Sequence, residues 1–89
     1  MEKWIFIGED VEVELSGPEG IPSHIIWRGK KYRILNIVAT WQRLDLQRRW
    51  WKRRHRDYFL IEVENGKMWE IYRHRGPGDR FWRLVREKS

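Results

Sequence analysis

The chain lacks cysteine, and its 89 residues include only three prolines and two methionines. Without cysteine it can form no disulfide, and no thiolate is available as a nucleophile or a metal ligand. No apolar run approaches the roughly 20 residues of a membrane-spanning helix, and the opening sequence MEKWIFIG lacks the long apolar stretch of a signal peptide. We therefore expect a soluble cytoplasmic protein with no membrane partner.

Residue types that often carry catalysis are scattered along the chain. The three histidines, His24, His55 and His74, lie far apart in the sequence and form no metal-ligand motif. His55 and His74 lie among arginines, so we expect both to be solvated at the surface. The turn sequence at 76–78 lacks the lysine and hydroxyl pair of a phosphate-binding loop. The sequence predicts no cofactor, no metal and no enzymatic activity, with an enzyme of unknown type as the least favoured alternative.

Large aromatic side chains and unevenly distributed charge dominate the composition. Seven Trp, three Tyr and three Phe residues can form the core of a single domain covering residues 1–89, which is small enough to bury only about 60–65% of its unfolded surface. The net charge is +6, but residues 1–20 carry −5 and residues 21–89 carry +11. The acidic segment is either an arm that covers basic surface or an ordinary half-buried strand. Val11, Val13 and Leu15 alternate with glutamates, which favours the strand.

Period-two patterns and turn signals predict β-strands along most of the chain. After an amphipathic strand at 9–15, the prolines and glycines of 16–22 predict a loop. A hairpin turning at Gly29 follows, and its second strand is long enough to bend around a barrel. The last strand is predicted over 81–86, with Phe81 and Trp82 on opposite faces.

The hairpin around Asn65 and Gly66 can be predicted to its register. A two-residue loop would mix charged and apolar side chains on both faces. A three-residue loop with a left-handed Gly66 leaves one apolar face, so it is preferred. It pairs Val63 with Lys67, Ile61 with Trp69, Phe59 with Ile71, Tyr58 with Tyr72, Leu60 with Glu70, and Glu62 with Met68.

Residues 42–56 interrupt the strand pattern. The segment contains no Gly, Pro or β-branched residue, and Leu46 and Trp50 lie at helical spacing. A short helix and an ordered loop both fit. The fold class predicted for the whole chain is mainly all-β, a small antiparallel barrel or half-barrel of five to six strands with one basic loop or short helix at about 42–56.

The run 48–56 carries six Lys and Arg residues beside the adjacent Trp50 and Trp51. Cations neutralise phosphates and indole rings stack on bases, so this composition favours nucleic-acid binding, DNA in particular. Of the two tryptophans, we expect one to lie in the core and the other to form a stacking platform. Arginines of the last two strands, Arg83 among them, would extend the path if those strands border the run. The predicted nucleic-acid-binding residues are Arg48, Arg49, Trp50, Trp51, Lys52, Arg53, Arg54, Arg56, Arg73, Arg75 and Arg80.

The same run is open to other interpretations. It is compatible with a solvated loop whose arginines confer solubility. Trp and Arg also form interface hot spots, so the surface fits docking to an acidic protein partner. Binding to anionic lipid is less favoured, because the run has no clear apolar face.

Aromatic and glycine-turn motifs follow one another in a fixed order along almost the whole chain. They are the segment 22–34 with its centre Trp27-Arg28-Gly29, then Trp41, Trp50-Trp51, Asp57-Tyr58-Phe59, the segment 69–73 and the segment 81–85. This ordered set resembles a small bacterial family of stand-alone proteins of unknown function. It is similar to the C-terminal module of ImuB-type proteins, which are catalytically degenerate relatives of Y-family translesion DNA polymerases. The resemblance implies an accessory role near DNA, with DNA-repair proteins as partners.

Overall fold

The computed structural model describes residues 3–44, 55–74 and 81–88. These residues form six β-strands and no helix, so the predicted all-β class is confirmed. None of them lies in a helix with the length and hydropathy needed to cross a membrane. The strands are β1 (Trp4–Ser16), β2 (Ile21–Trp27), β3 (Lys30–Leu44), β4 (His55–Val63), β5 (Met68–His74) and β6 (Phe81–Lys88).

The strands follow one another around a closed antiparallel barrel in chain order. Each strand pairs with its sequence neighbour, and β1 pairs with β6 to close the ring. The predicted loop or helix at 42–56 is too wide at both ends, because β3 continues to Leu44 and β4 begins at His55. The β3 and β4 ladder extends that far because Leu44 and His55 pair directly. Residues 45–54 lie outside the described part of the chain.

The hairpin of β4 and β5 has the predicted register. Tyr58 pairs with Tyr72, and Ile61 pairs with Trp69. The Val63 N–H donates to the Lys67 carbonyl at 2.9 Å, and Gly66 has a φ of 83°, a left-handed conformation that favours glycine. Apolar alternation and one glycine were sufficient to fix this part of the sheet.

Strand β1 begins five residues before the predicted start at residue 9. Its pairing with β6 is interrupted between Phe6 and Glu9, where Gly8 has a φ of 64°. This irregularity bends β1, so that residues 4–11 pair with β6 and residues 12–16 pair with β2. Because the alternation of apolar and polar residues breaks at Gly8, the sequence pattern did not predict the part of the strand before residue 9.

Alternation along β4, β5 and β6 directs one set of side chains into the barrel. Ile61, Trp69, Ile71 and Leu84 have no exposed surface. Trp69 packs edge-on against Trp27 and Tyr32, with ring centroids 5.4 and 4.9 Å apart. The aromatic residues therefore supply much of the core volume, as the composition predicts.

The two ends of the barrel differ because antiparallel strands place alternate connections at opposite ends. We call the end with turns 28–29 and 64–67 the short-turn end. The other, which we call the basic end, receives turn 17–20 and the connections 45–54 and 75–80. The anchors of the two connections adjoin: β4 begins beside the end of β5, where Arg56 pairs with His74 and His74 pairs with Phe81. The strand order thus brings the anchors of both connections next to each other.

Candidate nucleic-acid interface

Most of the excess positive charge belongs to the two connections of the basic end. The described residues contain twelve Lys and Arg against ten Asp and Glu, a net charge of +2. Residues 45–54 contain five cations and one acid, and residues 75–80 contain two cations and one acid, which together make +5. The unbalanced charge therefore belongs to two segments whose flanking strands begin and end at the basic end of the barrel.

Several cations of the barrel, in contrast, have acidic partners within it. Arg28 donates to Glu9 through Nε at 3.2 Å, and Trp27 Nε1 donates to the same carboxylate at 3.1 Å. These hydrogen bonds, that of Arg28 first, lower the pKa of Glu9 from its ordinary value. Lys31 lies 2.8 Å from Glu14 and lowers the pKa of that carboxyl likewise. Glu9 and Glu14 of β1 thus pair with cations of the β2–β3 turn and of β3, as expected if the acidic segment is a strand of the sheet.

An aromatic row crosses the outward face of the sheet at the basic end. Trp41 pairs with Tyr58 and Tyr58 with Tyr72, so the three side chains share this face. The Trp41 and Tyr58 rings stack with centroids 5.4 Å apart and planes 6° apart, and the two tyrosine rings are 5.2 Å apart. Phe81 continues the row 6.3 Å from Tyr72. We call these four side chains the aromatic row.

Exposure differs along the aromatic row. Tyr58 and Tyr72 are only 6% and 8% exposed, whereas Trp41 and Phe81 at its two ends are 37% and 38% exposed. Three strand spacings of about 4.8 Å place the two exposed rings roughly 14 Å apart along the sheet. The buried tyrosines hold the row together, and the outer rings offer surface to a ligand.

Arg56 and His74 extend this face toward the chain connections. The Arg56 guanidinium lies 4.9 Å from the Tyr72 ring centre, and its Nη1 is 3.5 Å from the Tyr58 hydroxyl oxygen. His74 stacks on Phe81 at 4.9 Å and is only 5% exposed. The prediction that His74 is solvated at the surface is wrong, because its position opposite Phe81 on the next strand buries the imidazole.

The inward side of the same end holds a partly buried ion pair. Arg73 Nη2 donates to Asp57 Oδ2 at 2.9 Å, and the Arg73 guanidinium lies 5.6 Å from the Trp82 ring centre. The Asp57 side chain is 10% exposed and that of Arg73 is 31% exposed. An open cleft of about 410 Å³ borders this pair and reaches Trp41 and Gln42 on β3.

Two of the residues predicted to contact nucleic acid can be placed. Arg56 and Arg73 both lie at the basic end, on opposite faces of the β4 and β5 hairpin. The other nine lie outside the described residues and remain predictions: Arg48, Arg49, Trp50, Trp51, Lys52, Arg53, Arg54, Arg75 and Arg80.

The aromatic row was missed at the sequence level, although one signal pointed to it. The predicted register already placed Tyr58 opposite Tyr72, but nothing in the sequence aligned Trp41 and Phe81 with them. Within residues 3–44, 55–74 and 81–88, no group of three or more His, Asp and Glu side chains could hold a metal ion. The ring contacts and the Arg56 guanidinium over Tyr72 make the outward face of this end aromatic and cationic.

Comparison with known proteins places the chain in a family. No curated protein and no solved structure matches it. The model of a domain of unknown function, DUF6504, matches residues 2–89, which is nearly the whole chain. An uncharacterised family was expected from the ordered aromatic and glycine-turn motifs, and the chain belongs to the DUF6504 family.

Proposed function

We propose that the protein is a non-catalytic module that binds single-stranded nucleic acid, DNA in the first instance, at the basic end of its barrel. One observation carries the proposal: the connections with a net charge of +5 begin and end beside an aromatic row whose outer rings, Trp41 and Phe81, are more than one third exposed. Basic chain next to exposed aromatic rings is the combination that single-strand binders use.

Cations and rings have separate parts in this mechanism. Phosphates are neutralised, and their counterions released, by the arginines and Lys52 of 45–54 and by Arg75 and Arg80. Bases stack on Trp41 and Phe81, and every base can do so because each has a π-face. Binding should therefore depend strongly on salt and weakly on base sequence.

The biological setting that we propose is an accessory role in DNA repair or lesion bypass. It rests on the similarity of the ordered aromatic and glycine-turn motifs to the C-terminal module of ImuB-type proteins. A barrel that holds exposed single strand beside a damaged template would need no catalytic group. DNA-repair proteins are the partners that this setting implies.

Fluorescence anisotropy with labelled single-stranded and duplex DNA at several salt concentrations tests the proposal. The test variant replaces Arg48, Arg49, Arg53 and Arg54 with Gln. A matched control replaces Lys3, Lys30, Arg33 and Lys67 with Gln, which removes the same charge from residues that the strand order places toward the short-turn end. If all four arginines contact phosphate, the slope of log affinity against log salt should fall by about 2.8 in the test variant alone.

If both variants lose the same DNA affinity, the loss reflects net charge alone, which would contradict a site at the basic end. No binding to either DNA at low salt would favour the alternative of docking to an acidic protein. Preference for single strand over duplex would support stacking on the aromatic row.

A further inference from the structure

Among the residues that the structure describes, no second strand pairs with most of β3, so that edge is open. Strand β3 pairs with β2 only over Lys30–Arg33 and with β4 from Ile34 to Leu44. Among the described residues, the stretch 34–44 is thus paired on one side only. Backbone N–H and C=O groups on the other side of such a strand can pair with a further strand.

The open edge has an irregular part and a regular part. The register shifts between Ile34 and Asn36 and again between Ile37 and Ala39. From Ala39 to Leu44 the pairing with β4 continues without interruption for six residues. Bulges usually hinder pairing at an edge, so the regular stretch 39–44 is the part that another strand can extend.

Side chains along this stretch offer apolar and polar contacts. Val38, which lies in the register shift just before this stretch, is 49% exposed, and Trp41 within it is 37% exposed. The cleft of about 410 Å³ opens between Thr40, Trp41 and Gln42 on β3 and Phe59 on β4. In strand addition, backbone hydrogen bonds supply affinity and such a cleft selects a side chain.

The charge near this edge of β3 favours one kind of partner strand. Within 34–44, β3 carries Arg43 and no acid, and the ten residues that follow it in the sequence have a net charge of +4. Asp57 in the cleft wall is already paired with Arg73 at 2.9 Å. An acidic strand is attracted to this edge, whereas a second copy of the chain would bring the same positive sign to it.

We propose that the edge 39–44 of β3 binds an extended acidic peptide segment of a partner protein by β-strand addition. This goes beyond nucleic-acid binding, because backbone hydrogen bonds carry it. Both ligands reach Trp41, so the peptide should compete with nucleic acid for the basic end.

The probe is a seven-residue peptide of alternating Glu and Val, titrated into isotope-labelled protein. Amide exchange should slow at alternate residues of 39–44, while amides of β6 stay unchanged. The same peptide methylated at alternate backbone nitrogens, on the edge that would face β3, should bind about tenfold or more weakly, because it loses several hydrogen bonds. A Lys and Val peptide should not bind.

Variants at half-exposed apolar positions locate the site without altering the nucleic-acid platform. Val38→Gln should weaken peptide binding about threefold to tenfold. Ile5→Gln serves as the matched control, because Ile5 is 57% exposed on β1, in its pairing with Glu87 of β6. DNA binding should be unchanged in both variants.

Three results would overturn the proposal. Equal binding of the methylated peptide would exclude strand addition. Unchanged amide exchange along 39–44 at peptide saturation would place the peptide elsewhere. Concentration-dependent dimerisation that protects these amides would assign the edge to a second copy. None of these depends on DNA, so the peptide site can fail while the proposed nucleic-acid site stands, and the reverse.

Discussion

The two ends of this barrel differ in burial and in charge. At the short-turn end, the turns contain Gly29 and Gly66 in left-handed conformations, and Trp69 is completely buried. At the basic end, the strands that flank two longer connections, with a net charge of +5 in their sequence, carry rings that are partly exposed. The comparison teaches that the same residue types, Trp and Arg, stabilise one end and present surface at the other.

The largest expected effect comes from removing the central tryptophan of the short-turn end. Trp69 contacts Trp27 and Tyr32, and its Nε1 donates to Glu87 Oε1 at 2.9 Å. Trp69→Ala should lower the free energy of unfolding by about 3–5 kcal/mol, a large part of the roughly 5–15 kcal/mol of a small domain. Urea denaturation followed by circular dichroism measures it. A loss below 1 kcal/mol would contradict the placement of the core.

A smaller effect, on binding, should separate two tryptophans of the same outward face. Trp41→Ala should weaken single-strand binding by about 1–3 kcal/mol and should lower stability less than Trp69→Ala, because Trp41 is 37% exposed and Trp69 is completely buried. Trp4 is the matched control, because it lies at the short-turn end, with the Arg86 guanidinium 4.2 Å from its ring centre. If Trp4→Ala weakens DNA binding as much as Trp41→Ala, the two ends do not differ in function. Anisotropy at constant salt measures both.

The smallest expected effect is a pH dependence of folding stability that arises from an ion pair at the short-turn end. Hydrogen bonds from Arg28 and Trp27 lower the pKa of Glu9 below its ordinary value of 4.5. A lowered pKa in the folded state stabilises the protein above the ordinary pKa, and this contribution is lost as the pH falls through the folded value. Glu9→Gln should therefore be less stable than the parent at pH 7, and the difference should shrink toward pH 3. A difference that grows on acidification would contradict the ion pair.

Local rules predicted the part of the fold that depends on neighbouring residues. Alternation and Gly66 gave the register of β4 and β5, and the turn at Gly29 gave the hairpin of β2 and β3. These features need no knowledge of distant residues.

Features that depend on barrel closure could not be predicted in the same way. The burial of His74 depends on Phe81, which reaches it only because β6 pairs with β5. Trp41 joins the aromatic row only through the pairing of β3 with β4 across a connection of ten residues. The sequence therefore predicted the site as a charged segment. The aromatic row beside it could be identified only from the pairing of the strands.

Closure between β1 and β6 also sets an order for folding. The hydrogen bond from Arg83 to the Gly8 carbonyl joins residues 75 positions apart, whereas Arg73 and Asp57 are only 16 apart. Loop-closure entropy makes the first contact about 1.4 kcal/mol more costly from the open chain than the second. We expect the hairpins to form first and the seam of β1 and β6 last. That seam is also where the folded barrel should first open.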